Sequence, residues 1–314
     1  MNIQQALVRV VEGGNLSRIE MQDVMHQIMR GDATDAQIGG LLIALRIKGE
    51  TTEEIAGAAQ VMRELASPVH DSGPHLVDLV GTGGDGANLF NVSTGACFVV
   101  AASGATVAKH GNRAASSTSG MSDVLEEFGM PLDLTPDEVA RAIDAVGVGF
   151  MFAPVHHSAM RHAIGPRREL GMRTVFNILG PLTNPAGVKR QVIGVYSAHL
   201  CQPMAEVLKM LGSEHALIVH SDDGLDEISI AGGTQVTELC DGNIESYRIC
   251  PEDFALQPQS LDGLSVSSAT QSASLIRRAL AGADDEAAQK AAAMLALNAG
   301  AAIYEQQQAV IGLG

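Results

Sequence analysis

From residue 76 onward short apolar runs alternate with helical periods, and this rhythm restricts the fold more than any other feature of the chain. "HLVDLV", "ATVAKH", "VGFMFA", "RQVIGVYS" and "HALIVH" read as strands, too short for buried helices and bounded by turn residues. Between them "TPDEVARAIDAVG" reads as a helix, with Thr135 as its cap and Pro136 at its first position. Strands spaced by helices build a mainly parallel sheet with crossover helices, an α/β fold. "TQVTELCDGNIESYRI" predicts a late hairpin turning at Asp241-Gly242, and "SASLIRRALAG" and "DDEAAQKAAAMLALNAGAAIYEQ" predict helices after it. Residues 1 to about 70 read as helices throughout, Thr51 and Glu54 forming a capping box.

Composition narrows the class. With 314 residues, 46% hydrophobic, and 34 glycines, the chain has ample material for one large or two smaller domains. A formal charge of −16 argues against a general nucleic-acid or membrane-surface binder. The four cysteines show no metal-binding spacing, which fits a reduced cytoplasmic protein. No apolar h-region opens the chain and no apolar run is long enough to span a bilayer. No internal repeat or low-complexity linker is present.

"VGTGGDGANLFNVSTG", residues 80–95, carries the glycines of two phosphate-binding patterns and completes neither. A dinucleotide site wants a helix opening inside the glycines and an acid about 20 residues on; residues 97–107 contain no acid. A nucleotide P-loop wants Lys-Ser or Lys-Thr after the last glycine, where this chain has Ala87-Asn88. What survives is a strand, a glycine loop, then Asn91, Ser93 and Thr94 leading into the helical "GACFVVAASGA". Helix-start amides with hydroxyls beside them bind anions; a tight turn with an ordinary cap is the plainer alternative.

"KHGNRAASSTSG", residues 109–120, follows the next strand and falls at the same carboxyl edge of the sheet, where ligands of open α/β sheets gather. Lys109 and Arg113 offer cations, Ser116, Ser117 and Ser119 hydroxyls, and Gly111 close backbone approach. The alternative is a solvated basic loop. "HSDDGLDEIS", residues 220–229, crowds four carboxylates together, as a solvated acidic turn or as a site for Mg²⁺ shared with substrate oxygens.

"GTGGD", "NVST", "KHGNR", "FMFAPVHH", "RTVFNILGPLTNP" and "DGLDEIS", in this order and spacing, resemble the anthranilate phosphoribosyltransferases of tryptophan biosynthesis. The resemblance runs to about residue 300 and implies a small N-terminal helical domain hinged to a larger α/β domain with a mainly parallel central sheet. The expected bounds are 1–70, with a returning segment near 165–190, and 75–314. "FNILGPLTNP", rich in Gly, Pro and Asn, reads as the hinge.

The implied reaction moves a phosphoribosyl group from 5-phosphoribosyl 1-diphosphate to the amine of anthranilate. By resemblance, Gly84, Asp85, Asn91, Ser93 and Thr94 line the donor site with Lys109, Arg113, Ser116 and Ser117. Gly81, Val92, His110, Gly111 and Asn112 belong to the same donor loops. Ser93, Asp226 and Glu227 match Mg²⁺ positions, the family using a pair of ions per subunit. Gly81, Asn112 and Arg167 match anthranilate positions, with His110, Pro154 and His157 on the walls of its path. No residue is assigned as a general base. His156-His157 lacks a nearby acid or cysteine for a metal site, and of Arg167 and Arg168 one clamps a carboxylate while the other faces solvent.

The chain departs from the family pattern at Leu89, where a hydroxyl residue is usual, and at Met121, where a small one is. The implied partners are the two small-molecule substrates, a second copy of the chain and an anthranilate synthase, with no nucleic acid and no membrane. Two rivals stay open. A nucleoside phosphorylase of the same architecture would not need the "DGLDE" carboxylates for metal, and a non-catalytic nucleic-acid-binding relative would show a net basic face.

Overall fold

A computed structural model describes residues 1–70, 75–113 and 118–311, with side chains given as far as residue 305. Four helices open the chain: α1 (Ile3–Val11), α2 (Arg18–Arg30), α3 (Asp35–Lys48) and α4 (Thr52–Leu65). Each begins on a capping box, Asn2 with Gln5, Ser17 with Glu20, Thr34 with Gln37 and Thr51 with Glu54. Each box satisfies orphan N–H groups at both of its ends, so the sequence itself marks the start of every helix. Glu54 also reaches across the layer. Fully buried, it accepts from the Leu16 and Thr51 amides at 2.9 and 2.8 Å and from the Lys48 ammonium at 2.9 Å.

The rest of the chain builds one sheet. In order come β1 (Val77–Gly81), α5 (Val92–Ala102), β2 (Val107–Gly111), α6 (Met121–Glu127), α7 (Pro136–Val146) and β3 (Val148–Phe152). Then follow α8 (Ala153–His156), α9 (Arg161–Leu170), α10 (Phe176–Leu179), β4 (Arg190–Gly194), α11 (Cys201–Met210) and β5 (His215–Ser221). The hairpin β6 (Thr234–Cys240) and β7 (Asn243–Ile249) precedes α12 (Ala269–Leu280) and α13 (Glu286–Ile311). The strand order is β3-β2-β1-β4-β5-β6-β7. The first five strands run parallel and the hairpin closes the sheet antiparallel. Its turn has φ of 47° at Asp241 and 79° at Gly242, the left-handed pair that a two-residue hairpin loop requires.

Both faces of the sheet are covered. Val92, Ala96 and Val100 of α5, with Leu295 of α13 and Ile276 of α12, bury Val77, Leu79 and Val107 on one face. On the other, a continuous apolar cluster runs from α1–α4 through Phe176 and Met204 to Ile193 and Ile218 of the central strands. α9 packs against α2 and α3, and α10 against α4, so a mid-chain segment returns to the helical layer. Among the described residues no helix is long and apolar enough to cross a membrane.

Candidate active site

The chain crosses from one half of the sheet to the other between β1 and β4, and the ends of these two strands, Gly81 and Gly194, lie side by side. Such a switch point leaves a crevice outside the carboxyl ends of the strands. The glycine loop enters it after β1 and the acidic loop after β5. Positive φ at Gly83, Gly84 and Gly86 (65°, 83° and 79°) folds the first loop back on itself, a path closed to most side chains.

Asp226 joins the two loops. Its backbone and carboxylate press against Gly194 and Gly81, where any Cβ would collide with it. The Gly83 N–H donates to its Oδ2 at 2.7 Å. Glu227 accepts from the Ser93 N–H at 3.3 Å, at the start of α5. Burial, then repulsion from Asp85, pushes Asp226 up to about 6, and burial with repulsion from Asp226 holds Glu227 well above the carboxylate range. Lys109 is the cation that pulls Glu227 the other way.

The donor chemistry of Asp85, Asp226 and Glu227 fits a hard divalent cation, since all three offer oxygen and two carry a charge that burial disfavours. Their oxygens do not close into a protein-only cage. Among the described residues only His215, Glu238 and Cys240 approach one another at that spacing. That trio sits at the far end of β5, and Glu238 already accepts from His215 at 2.6 Å and Tyr247 at 2.8 Å. An ion completed by substrate oxygens suits the open arrangement of Asp226 and Glu227. The acidic run itself divides, for Asp222 pairs with Arg248 while Asp223 accepts from Ser221 and Ser229.

Beside the carboxylates stands the N-terminus of α5. Asn91 holds the cap position but makes no capping bond, because its side chain is spent on Ser119 and Ser272. No side chain caps this turn, and the buried Thr94 hydroxyl has no hydrogen-bond partner among the described residues. Lys109 is buried beneath this turn, donating to the Ser93 hydroxyl at 3.2 Å and to the Leu79 carbonyl. Arg113 is exposed over Phe152 and held by Asp123 at 2.7 Å and Glu126 at 2.6 Å. Ser116 and Ser117 lie outside the described residues. Met121 packs its sulfur against Gly111 at the end of β2, and Leu89 forms an isolated bridge to Ser265.

On α9, Arg167 is half-buried and stacked over Phe176, 5.2 Å from the ring centroid. Among the described residues it has no carboxylate partner, whereas Arg168 is exposed. The His110 and His157 rings lie 5.0 Å apart and tilted by 58°, both buried, each with an Nε2 that has no partner among the described residues. Burial pushes His157 down to about 4 and His110 well below its ordinary range. Pro154 is exposed at the start of α8, and the exposed Asn112 accepts the Arg113 amide at 2.8 Å. His156 faces the Ser67 carbonyl at 3.2 Å rather than its neighbour's site.

Three residues had no assignment from the motifs. Arg173 donates to the Gly84 carbonyl at 2.6 Å while lying 4.2 Å over the Tyr196 ring, so it latches the glycine loop. Gly194 makes room for Asp226, and only its place at a strand end hinted at this. Asp78, a carboxylate inside an apolar strand, was legible as an anomaly but not as a contact.

The glycosyl transferase family matches the chain in two parts, its helical bundle domain over residues 4–66 and its a/b domain over residues 73–310. Anthranilate phosphoribosyltransferase of Saccharophagus degradans is 62% identical over 97% of this chain and 89% of its own length. The crystal structure of anthranilate phosphoribosyltransferase from Thermus thermophilus superposes with a TM-score of 0.90 at 43% identity, covering 96% of this chain and 89% of that one. The Saccharomyces cerevisiae enzyme, solved in complex with PRPP and Mg, gives 0.80 at 26% identity over 99% and 98%. With fold, sequence and both domains in agreement, the chain belongs to the anthranilate phosphoribosyltransferase family.

Proposed function

We propose that the chain transfers phosphoribosyl from 5-phosphoribosyl 1-diphosphate to the amine of anthranilate, yielding N-(5-phosphoribosyl)anthranilate and diphosphate. The observation that carries this reading is a pair of buried carboxylates set beside an uncapped helix start. The helix start, whose Thr94 hydroxyl has no partner among the described residues, lies beside Asp226 and Glu227, and Arg167, with no carboxylate partner among those residues, lies over Phe176.

In this reading the Val92 and Thr94 amides and the Ser93 and Thr94 hydroxyls receive the diphosphate, with Lys109 as a buried positive charge beneath them. Gly84, Asp85, Gly111, Asn112 and Arg113 border the donor. Ser93, Asp226 and Glu227 hold a pair of Mg²⁺ ions, which neutralise the diphosphate and make it a better leaving group. Arg167 clamps the anthranilate carboxylate bidentately, its guanidinium pre-placed by Phe176. His110, Pro154 and His157 wall the path, and Gly81 and Asn112 fix the near edge of the ring.

The amine of anthranilate is neutral at pH 7 and attacks without prior deprotonation, so no general base is required. Positive charge developing on the ribose meets a net negative cluster, and holding the two reactants in line removes several kcal/mol from the barrier. The exposed Val8, Val11, Ile19 and Ile47 of the helical layer support a homodimer joined through that layer. The four unpaired cysteines support a cytoplasmic location.

Anthranilate fluorescence followed on mixing the protein with 5-phosphoribosyl 1-diphosphate and Mg²⁺ tests the reading. Loss of signal that EDTA blocks is the expected result. Constant fluorescence with folded protein and both substrates present refutes it.

A further inference from the structure

β1 and β2 are neighbours in the sheet but pair only at Val77 and Val107. Their outer pairings continue to the strand ends, Gly81 with Gly194 and Gly111 with Phe152. Past Val77 the two strands part, and side chains take over backbone groups that a ladder would have used. The His110 N–H donates to Asp78 Oδ1 at 3.3 Å. Asn184 Nδ2 donates to the Ala108 carbonyl at 2.8 Å and to Asp78 Oδ2 at 2.7 Å. The Lys109 ammonium donates to the Leu79 carbonyl. A carboxylate, an amide and an ammonium thus prop the sheet open immediately below the crevice.

This arrangement is costly. Asp78 is 0% exposed and burial drives it up to about 6 even with Lys109 nearby. Buried ionic groups can often be replaced by apolar ones of similar volume at no loss of stability. Stability alone therefore gives no reason for a charge here. Its contacts do. Its neighbour in the strand, Leu79, accepts from Lys109, whose ammonium also donates to the Ser93 hydroxyl at 3.2 Å, on the helix turn read as the diphosphate site. Through Asn184 it fixes the segment that follows α10, whose Phe176 carries Arg167.

We propose that Asp78 is a positioning residue that sets the separation of β1 and β2, and with it the relative placement of the donor site and the acceptor clamp. The inference rests on the transfer reaction proposed above and deepens it. Asp78 touches neither substrate. It acts on Lys109, whose ammonium donates to the carbonyl of the adjoining Leu79, and on the Arg167 side through the Asn184 segment.

The test compares wild type, Asp78→Asn and the exchange Asp78→Asn/Asn184→Asp. In the single variant two amide groups face each other and the charge beside Lys109 is gone. Reactant misplacement of about 1 Å costs on the order of 100-fold, so kcat falls about 100-fold while the protein stays folded. The exchange restores a donor–acceptor pair between residues 78 and 184 but sets a carboxylate against the Ala108 carbonyl, so kcat recovers only in part. A merely structural role would lower the melting temperature and leave kcat and both KM values unchanged. That result overturns the proposal. Should Asp78→Asn not fold, Asn184→Ala, which keeps the carboxylate, must show the same fall in kcat, and unchanged kcat there overturns it.

Calorimetric binding of inorganic diphosphate with Mg²⁺ separates this inference from the reaction itself. Wild type that binds diphosphate but turns nothing over refutes the reaction. Asp78→Asn binding it about tenfold more weakly still supports the positioning role, and equal binding refutes that role.

Discussion

The backbone N–H of Gly83 donates to Asp226 Oδ2 at 2.7 Å, tying the glycine loop to the acidic loop across the switch point of the sheet. The same Asp226 backbone lies so close to Gly194 that no side chain fits there. Gly194→Ala must therefore push the acidic loop away from β4. Overpacking of this kind costs about 1–3 kcal/mol, and the larger effect falls on metal use, because Asp226 and Glu227 move together. We expect a lower melting temperature and a Mg²⁺ requirement shifted to higher concentration. An unchanged Mg²⁺ titration would show that the loop position is not what holds the ion.

How far the sequence reached depended on the range of each interaction. The strands, the hairpin turn and the capping boxes are local patterns, and all five parallel strands lie where their apolar runs predict. Six motifs in register pointed to the fold and the family. Long-range choices were hidden. Nothing in "HSDDGLDE" tells Asp222 and Asp223, bound to Arg248, Ser221 and Ser229, from Asp226 and Glu227 in the crevice. Nothing near "KHGNR" shows that Lys109 is buried while Arg113 is held by acids ten and thirteen residues on. Asp78 and Asn184 meet across 106 residues, through a sheet order that no local period encodes.

Arg167 is stacked on Phe176 and has no carboxylate partner among the described residues, so its truncation isolates the proposed acceptor clamp. A hydrogen bond to a charged group is worth about 1.5–3 kcal/mol, and Arg167→Ala should lower kcat/KM for anthranilate about 10- to 100-fold. The KM for 5-phosphoribosyl 1-diphosphate should stay near wild type. Lysine cannot reproduce a bidentate fork, so Arg167→Lys recovers only part of the loss, and the exposed Arg168→Ala is silent. Equal effects at both arginines would remove the assignment.

Arg113 is held by Glu126 and Asp123 on the exposed face of α6. If its guanidinium serves the donor phosphates, these carboxylates compete with the substrate. Surface ion pairs are weak, so Glu126→Gln should lower the KM for 5-phosphoribosyl 1-diphosphate by no more than about fivefold. Added salt should shrink the difference between variant and wild type. A KM that rises instead would mean that the carboxylates aim Arg113 rather than restrain it.

His157 makes stability depend on pH in a direction that can be worked out. Burial, reinforced by His156, lowers it from its ordinary 6.5 to about 4, against the pull of the Thr183 carbonyl. The folded protein thus keeps the ring neutral where the unfolded chain protonates it. The stability this contributes is complete above pH 6.5 and is lost as pH falls towards 4, at about 1.4 kcal/mol per unit. His110, packed 5.0 Å away and shifted the same way, adds to the loss. Asp78 opposes both, since a carboxyl raised to about 6 stabilises the fold as pH falls through that value. Total stability against pH therefore mixes signs, but the difference between wild type and His157→Asn does not. Asparagine can still donate to Thr183 and does not titrate. Denaturant unfolding at pH 7 and pH 4 should show the wild-type advantage shrinking by about 3 kcal/mol. A difference that stays flat across this interval would mean that His157 is already charged, or freely hydrated, in the folded protein.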